Sequence, residues 1–157
     1  MSAETKNITL TKTFLTNNRI NLFVLDHIKE EHLVLSHNTR ARTIGDQFAH
    51  MHNVRLMWLE VLRPALVKKL KKIEKGSAKK KMLKEALTNS AEAMAELFRE
   101  FESSEKVKGF KKGPNGFFAY VIAHEAHHRG QILLHLKYAG FPFDRTKGFE
   151  MWEWDKM

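Results

Sequence analysis

Cysteine is missing from this chain. That excludes a thiolate nucleophile, thiolate metal ligands and a disulfide framework, and it fits a reducing cytoplasm. Long apolar runs are missing too: no stretch approaches the roughly 18 residues a membrane-crossing helix needs. The opening Met1-Ser2-Ala3-Glu4-Thr5-Lys6 carries no apolar signal region, so the reading is a cytoplasmic protein with no membrane partner. No alternating apolar–polar series is long enough for a sheet, and no internal repeat is visible.

What the chain has in excess is positive charge, 27 Lys and Arg against 18 Asp and Glu, for a net +9. Much of the excess sits between Lys68 and Lys81 around Gly76, with no aromatic interleaved for base stacking. A solvated basic turn explains that run better than a nucleic-acid surface. With 157 residues the chain is expected to form one domain, 1–157, around one core.

Apolar spacing predicts helices. Residues 16–28 form the first, with Thr16 or Asn17 as its cap, and 29–42 form a loop. A second helix begins at Thr43, whose hydroxyl and Asp46 approximate a capping box, and runs to about Leu62. Pro64 kinks it or starts a continuation through Lys75. Ser77–Ser103 is the clearest amphipathic helix. Residues 104–113 connect it to a last helix, Pro114–Tyr138, stopped by Gly140 and Pro142. The tail around Trp152 and Trp154 is expected to lie extended. Four long helices with short connections predict an all-α four-helix bundle.

Chemistry concentrates in His124-Glu125-Ala126-His127-His128-Arg129-Gly130-Gln131. His124 and His128, four apart, stack on one helical face and can grip one cation. Two ligands need a third. His50, bordering the apolar stripe of the second helix, is preferred; His52, on a different side of that helix, is the fallback. The same segment fulfils H-E-x-x-H, which would make Glu125 the general base of a metal-dependent hydrolase. Its extended form fails, because Gln131 and Leu134 stand where glycine and histidine are needed. His127 could sit behind the ligands and hold a substrate group. Arg129 could pair with Asp46 or Glu60, or bind an anionic substrate, and Gln131 could orient a ligand histidine. Gly130 inside a helix costs about 1 kcal/mol relative to alanine, which suggests a close approach there. His135 is expected in the core or at a subunit contact; His27, His32 and His37 follow no pattern. The three tryptophans are expected to pack.

Thr43-Ile44-Gly45-Asp46-x-x-x-His50 together with His124-x-x-x-His128-Arg129-Gly130-Gln131-Ile132 resembles the DinB superfamily, over roughly residues 15–140. The superfamily includes S-transferases that use bacillithiol or mycothiol. The resemblance implies an up-down-down-up bundle and a divalent ion, zinc or nickel, held by His50, His124 and His128 with open positions. It also implies a homodimer. The expected function is transfer of a small thiol onto electrophiles, with Glu125, His127 and Arg129 as candidate catalytic residues. The alternatives are the Glu125-dependent hydrolase and a non-enzymatic metal- or ligand-binding protein of the stress response.

Overall fold

A computed structural model describes residues 9–157; the N-terminal stretch read above for a signal region lies outside the described residues. Helix α1 spans Leu10–Asp26, α2 Ile44–Leu62, α3 Lys80–Phe101, α4 Gly113–Tyr138 and the short α5 Arg145–Glu150. Among the described residues there is no strand, only an isolated bridge between Val107 and Phe110.

Ion pairs and hydrogen bonds between helices fix their directions. Thr11 donates to Glu102 at 2.8 Å and Lys84 donates to Asp26 at 2.9 Å, so α1 and α3 run antiparallel. Arg63 near the end of α2 meets Glu100 near the end of α3, which makes that pair parallel. Gln47 pairs with Gln131 and Trp58 packs on Phe117, so α2 and α4 are antiparallel. The bundle is therefore up-down-down-up, and the parallel α2–α3 step explains the long connection between them.

Several boundaries move for physical reasons. Helix α1 starts seven residues before Asn17, capped by the Thr9 hydroxyl, because Leu10 and Phe14 extend its apolar stripe. Asn17 is no cap; it is fully buried. The Thr43 cap stands as expected, accepting from the Asp46 amide at 3.1 Å. The helical continuation through Lys75 does not form beyond a short 3-10 turn at Pro64–Val67. Residues 71–76 instead make a strap that α2 side chains hold by its backbone. Asn53 accepts from the Ile73 amide at 3.0 Å and donates to the Ile73 carbonyl at 2.9 Å. His52 donates to the Lys71 carbonyl at 2.9 Å, and Asp46 accepts from the Gly76 amide at 2.8 Å. Ile73 buries its side chain under the strap while its lysines face outward. Helix α3 starts at Lys80, where the Glu30 carboxylate takes the first amide at 3.1 Å. The tail is not extended: Asp144 caps α5, and Phe143 and Met151 pack against the bundle.

Two of the glycines bear on how the helices end and meet. Gly140 takes φ +84° and closes α4, with Phe141 N bonded to Leu136 O and Gly140 N to Lys137 O in a Schellman arrangement. At Gly45 a side chain would meet Ala78 Cβ at 3.0 Å and the Leu33 carbonyl at 3.1 Å, so α2 begins wedged beneath two other stretches of chain.

The core is divided. One apolar cluster joins Leu25, Ile44, Phe48, Leu83, Leu87 and Ile132; the other joins Phe14, Leu59, Met94, Phe98, Phe117 and Val121. On each long helix the residues between the clusters are polar and buried: Asn17, Asn18 and Asn21 on α1, Arg55 on α2, Ser90 on α3 and Glu125 on α4.

Candidate metal centre

The polar layer is a bonded network. Arg55 donates from Nε to Glu125 Oε1 at 2.7 Å and from a terminal nitrogen to Oε2 at 2.9 Å. Its other nitrogen reaches the Leu87 carbonyl at 2.9 Å and Ser90 at 3.2 Å. Asn17 and Asn21 each donate to Glu125 Oε2 at 2.7 Å. Their carbonyl oxygens accept from Arg129 at 2.9 and 2.6 Å. Burial pushes the Glu125 carboxyl up, but the Arg55 charge and these hydrogen bonds outweigh it and hold the group below the usual carboxylate range.

This corrects three readings. Glu125 has its oxygens committed to Arg55 and the asparagines, so it is no free general base. Arg129 pairs with neither Asp46 nor Glu60, and its guanidinium is turned to α1 rather than offered to an anion. Gly130 is exposed, and among the described residues nothing lies within 4 Å of a Cβ placed there, so none of them approaches it.

Where α4 faces α2, His124 and His128, on either side of Glu125 in sequence, converge with His50 of α2. His124 Nε2 lies 3.1 Å from His128 Nε2 and 3.3 Å from His50 Nε2. The three donor atoms all lie within 4.8 Å of one another, and this is the one such group of potential ligands among the described residues. Donors about 2.0–2.1 Å from a zinc ion stand roughly 3.3 Å apart on a tetrahedron. The spacing therefore fits a shared cation better than mutual hydrogen bonds, which would leave one nitrogen facing another across the gap. His52, the fallback, is turned away to the strap and takes no part.

The protonation states suit the same role. Burial, then the neighbouring imidazoles of His124 and His50, holds His128 at about 3. Burial, then Arg42, holds His50 at about 4. Burial likewise lowers His124. All three are neutral at pH 7, with lone pairs available. His128 is also fixed in its tautomer. Its Nδ1 donates to Gln47 Oε1 at 2.5 Å, leaving Nε2 bare toward the cluster. Gln47 is held in turn by donating to Gln131 Oε1 at 2.7 Å, and Gln131 Nε2 donates to His127 Nε2 at 2.9 Å. His127 thus stands exposed at the end of this chain of contacts, outside the ligand cluster.

Gln47, Arg55 and the α1 asparagines are the residues that sequence reasoning passed over. Their signal was a polar side chain at a core position: Asn17 and Asn21 are four apart on the apolar face of α1, and Gln47 lies three before His50. Beside His50 and Gln47 opens a cavity of about 740 Å³ between α2, α4 and the loop carrying Arg40 and Arg42.

No helix of the described residues is long and apolar enough to cross a membrane. The sequence model of the DinB family matches residues 1–155. No curated protein matches the chain.

Proposed function

The chain belongs to the DinB family, and on that premise we propose that it is a metal-dependent enzyme transferring a small thiol, of the bacillithiol or mycothiol type, onto electrophilic small molecules. The observation that carries the reading is the meeting of three neutral imidazoles beside a cavity large enough for two small reactants. Three protein ligands would leave a bound cation, zinc or nickel in this reading, with an open position for a further ligand. A cation held there would act as a Lewis acid, lowering the pKa of a thiol at that position as it does for water. No cysteine is present to compete for the open position or to be alkylated by the electrophile.

The residues divide the work. His50, His124 and His128 would hold the ion. Gln47 keeps the His128 proton on Nδ1, so that Nε2 faces inward. Arg55 and Glu125 clamp α2 to α4 within a turn of the ligands, which holds His50 in register with His124. The walls of the cavity, among them Leu134 and Tyr138, would enclose the electrophile. The proposal includes a homodimer, a cytoplasmic location and a role in stress response; sedimentation of the purified protein checks the first.

The deciding experiment loads purified protein with zinc or nickel and offers small thiols with a panel of electrophiles, scoring conjugates by mass spectrometry. Conjugates formed by the wild type and lost in His128→Ala support the reading. Silence across the panel sinks it. Hydrolysis of esters or amides without thiol consumption would replace it by the hydrolase, with a base other than Glu125.

A further inference from the structure

The cavity beside the imidazoles has a charge that the transfer reaction does not explain. Its rim carries Arg40, Arg42 and Lys75, and the acid that lines it is Asp46. Asp46 already accepts the Gly76 amide. The three cationic side chains are exposed, and among the described residues none forms an ion pair or donates a side-chain hydrogen bond. Elsewhere on the surface cations do find acids: Lys84 with Asp26, Arg63 with Glu100, Lys147 with Glu150. Many other surface cations are likewise unpaired; what sets the rim apart is that its three gather around one cavity that His50 also lines.

Its position makes the excess costly for the ion. Arg42 and His50 line the same cavity, so the guanidinium's field falls on the approach to the point where a cation would be held. Like charges repel, and a guanidinium stays charged throughout the working pH range. A basic rim beside a cation site weakens that site unless something negative lies between the two. Polar groups line the basin as well: Gln47, Asn53 and Gln131 stand in its wall beside His50. Arg40 and Arg42 present planar forks that match oxyanions in two-point fashion, and Lys75 adds a point charge from the strap opposite.

We propose that this basin is an anion subsite: the small substrate bears an oxyanion, a carboxylate or phosphate group, which Arg40, Arg42 and Lys75 hold while its reactive atom reaches the imidazole-bound ion. The proposal rests on the thiol-transfer reading only in taking the cavity as the approach to that ion. It assigns recognition to residues of the 37–42 loop and the strap, and it takes over the role that Arg129, turned to α1, does not fill. Anion and metal occupancy become linked: whatever factor the anion adds to metal affinity, the metal adds to anion affinity.

The linkage gives a readout independent of turnover. Zinc affinity of the full chain is measured by competition with a chromophoric chelator, alone and with saturating succinate or with inorganic phosphate. The expected result is tightening by on the order of tenfold with at least one of the two. Whichever does so identifies the group as carboxylate or phosphate. Arg42→Gln should bind zinc more tightly than wild type without anion, because a repulsive charge is gone, yet lose the anion response; Arg40→Gln and Lys75→Gln should lose part of it. Lys69→Gln, on the outward face of the connection, should change neither. No response to either anion in the wild type, or a response that survives Arg42→Gln, overturns the subsite. The thiol reading is tested separately by the sulfur-to-cobalt charge-transfer band of cobalt-loaded protein with uncharged 2-mercaptoethanol. That band can fail while the anion linkage holds, or the reverse.

Discussion

Gln47 Oε1 sits 2.5 Å from His128 Nδ1 and so decides which nitrogen of that imidazole keeps its proton. A contact that never touches the cation thereby determines whether one of its three ligands has a lone pair to offer.

Gln47→Leu should weaken zinc binding about 10–100-fold, the usual loss when a partner of a ligand histidine is removed. The helical signal in circular dichroism should stay unchanged. An affinity within twofold of wild type would show that the amide does not set the tautomer.

Glu125→Gln separates a clamp from a base. Leaving the Arg55 charge buried without its counterion should cost about 3–5 kcal/mol and lower Tm by roughly 10 °C. A catalytic base would instead leave Tm in place and remove turnover. Replacing both partners, Arg55→Met with Glu125→Leu, should recover part of the loss, because no isolated charge then remains in the interior.

Metal-free protein should become less stable as pH falls from about 6.5 toward 4. In the unfolded chain His50 and His128 take up protons near their ordinary 6.5, whereas folded they resist until about 4 and 3. Within that window the unfolded state binds more protons, so acid favours unfolding; above it these groups add no slope. Glu125, held below its usual range when folded, adds acid sensitivity of the same sign at lower pH. Chemical denaturation at pH 7.5, 6 and 5 measures the trend. Zinc at 100 times its Kd should add about 2.7 kcal/mol at each pH where the Kd is met.

Gly130→Ala should stabilise the protein by about 0.5–1 kcal/mol, since the site is mid-helix, exposed and free of any clash. A lower Tm would reveal a contact at this surface that forms only in an assembly.

The four long helices could be read in the sequence because leucines and phenylalanines at threes and fours on α3, and the Thr43 cap on α2, express purely local physics. The ligand pair on α4 could be read for the same reason, as i, i+4 spacing defines one face. Glu125 was misread because H-E-x-x-H fixes an order of residue types and not the direction of a side chain. What turned it was Arg55, 70 positions away, with Asn17 and Asn21. The stretch after Pro64 was misread because Leu66, Leu70 and Ile73 keep a helical period. Asn53, His52 and Asp46 claim the backbone groups that a helix there would have used internally, and a run of lysines gives that helix little reason to compete. The rim of the cavity was out of reach because Arg40, Arg42 and Lys75 become neighbours only once the strap folds across α2.

Gly45 ties these parts together. Two strangers in sequence, the chain at Leu33 and the chain at Ala78, rest against its bare α-carbon. The first leads into the loop of Arg40 and Arg42, and the second leads out of the strap of Lys75. The width of the basin's mouth is therefore gauged by a missing methyl. Adding that methyl should press on both stretches while leaving every charge in the protein in place, so an anion response lost in Gly45→Ala would trace to spacing alone.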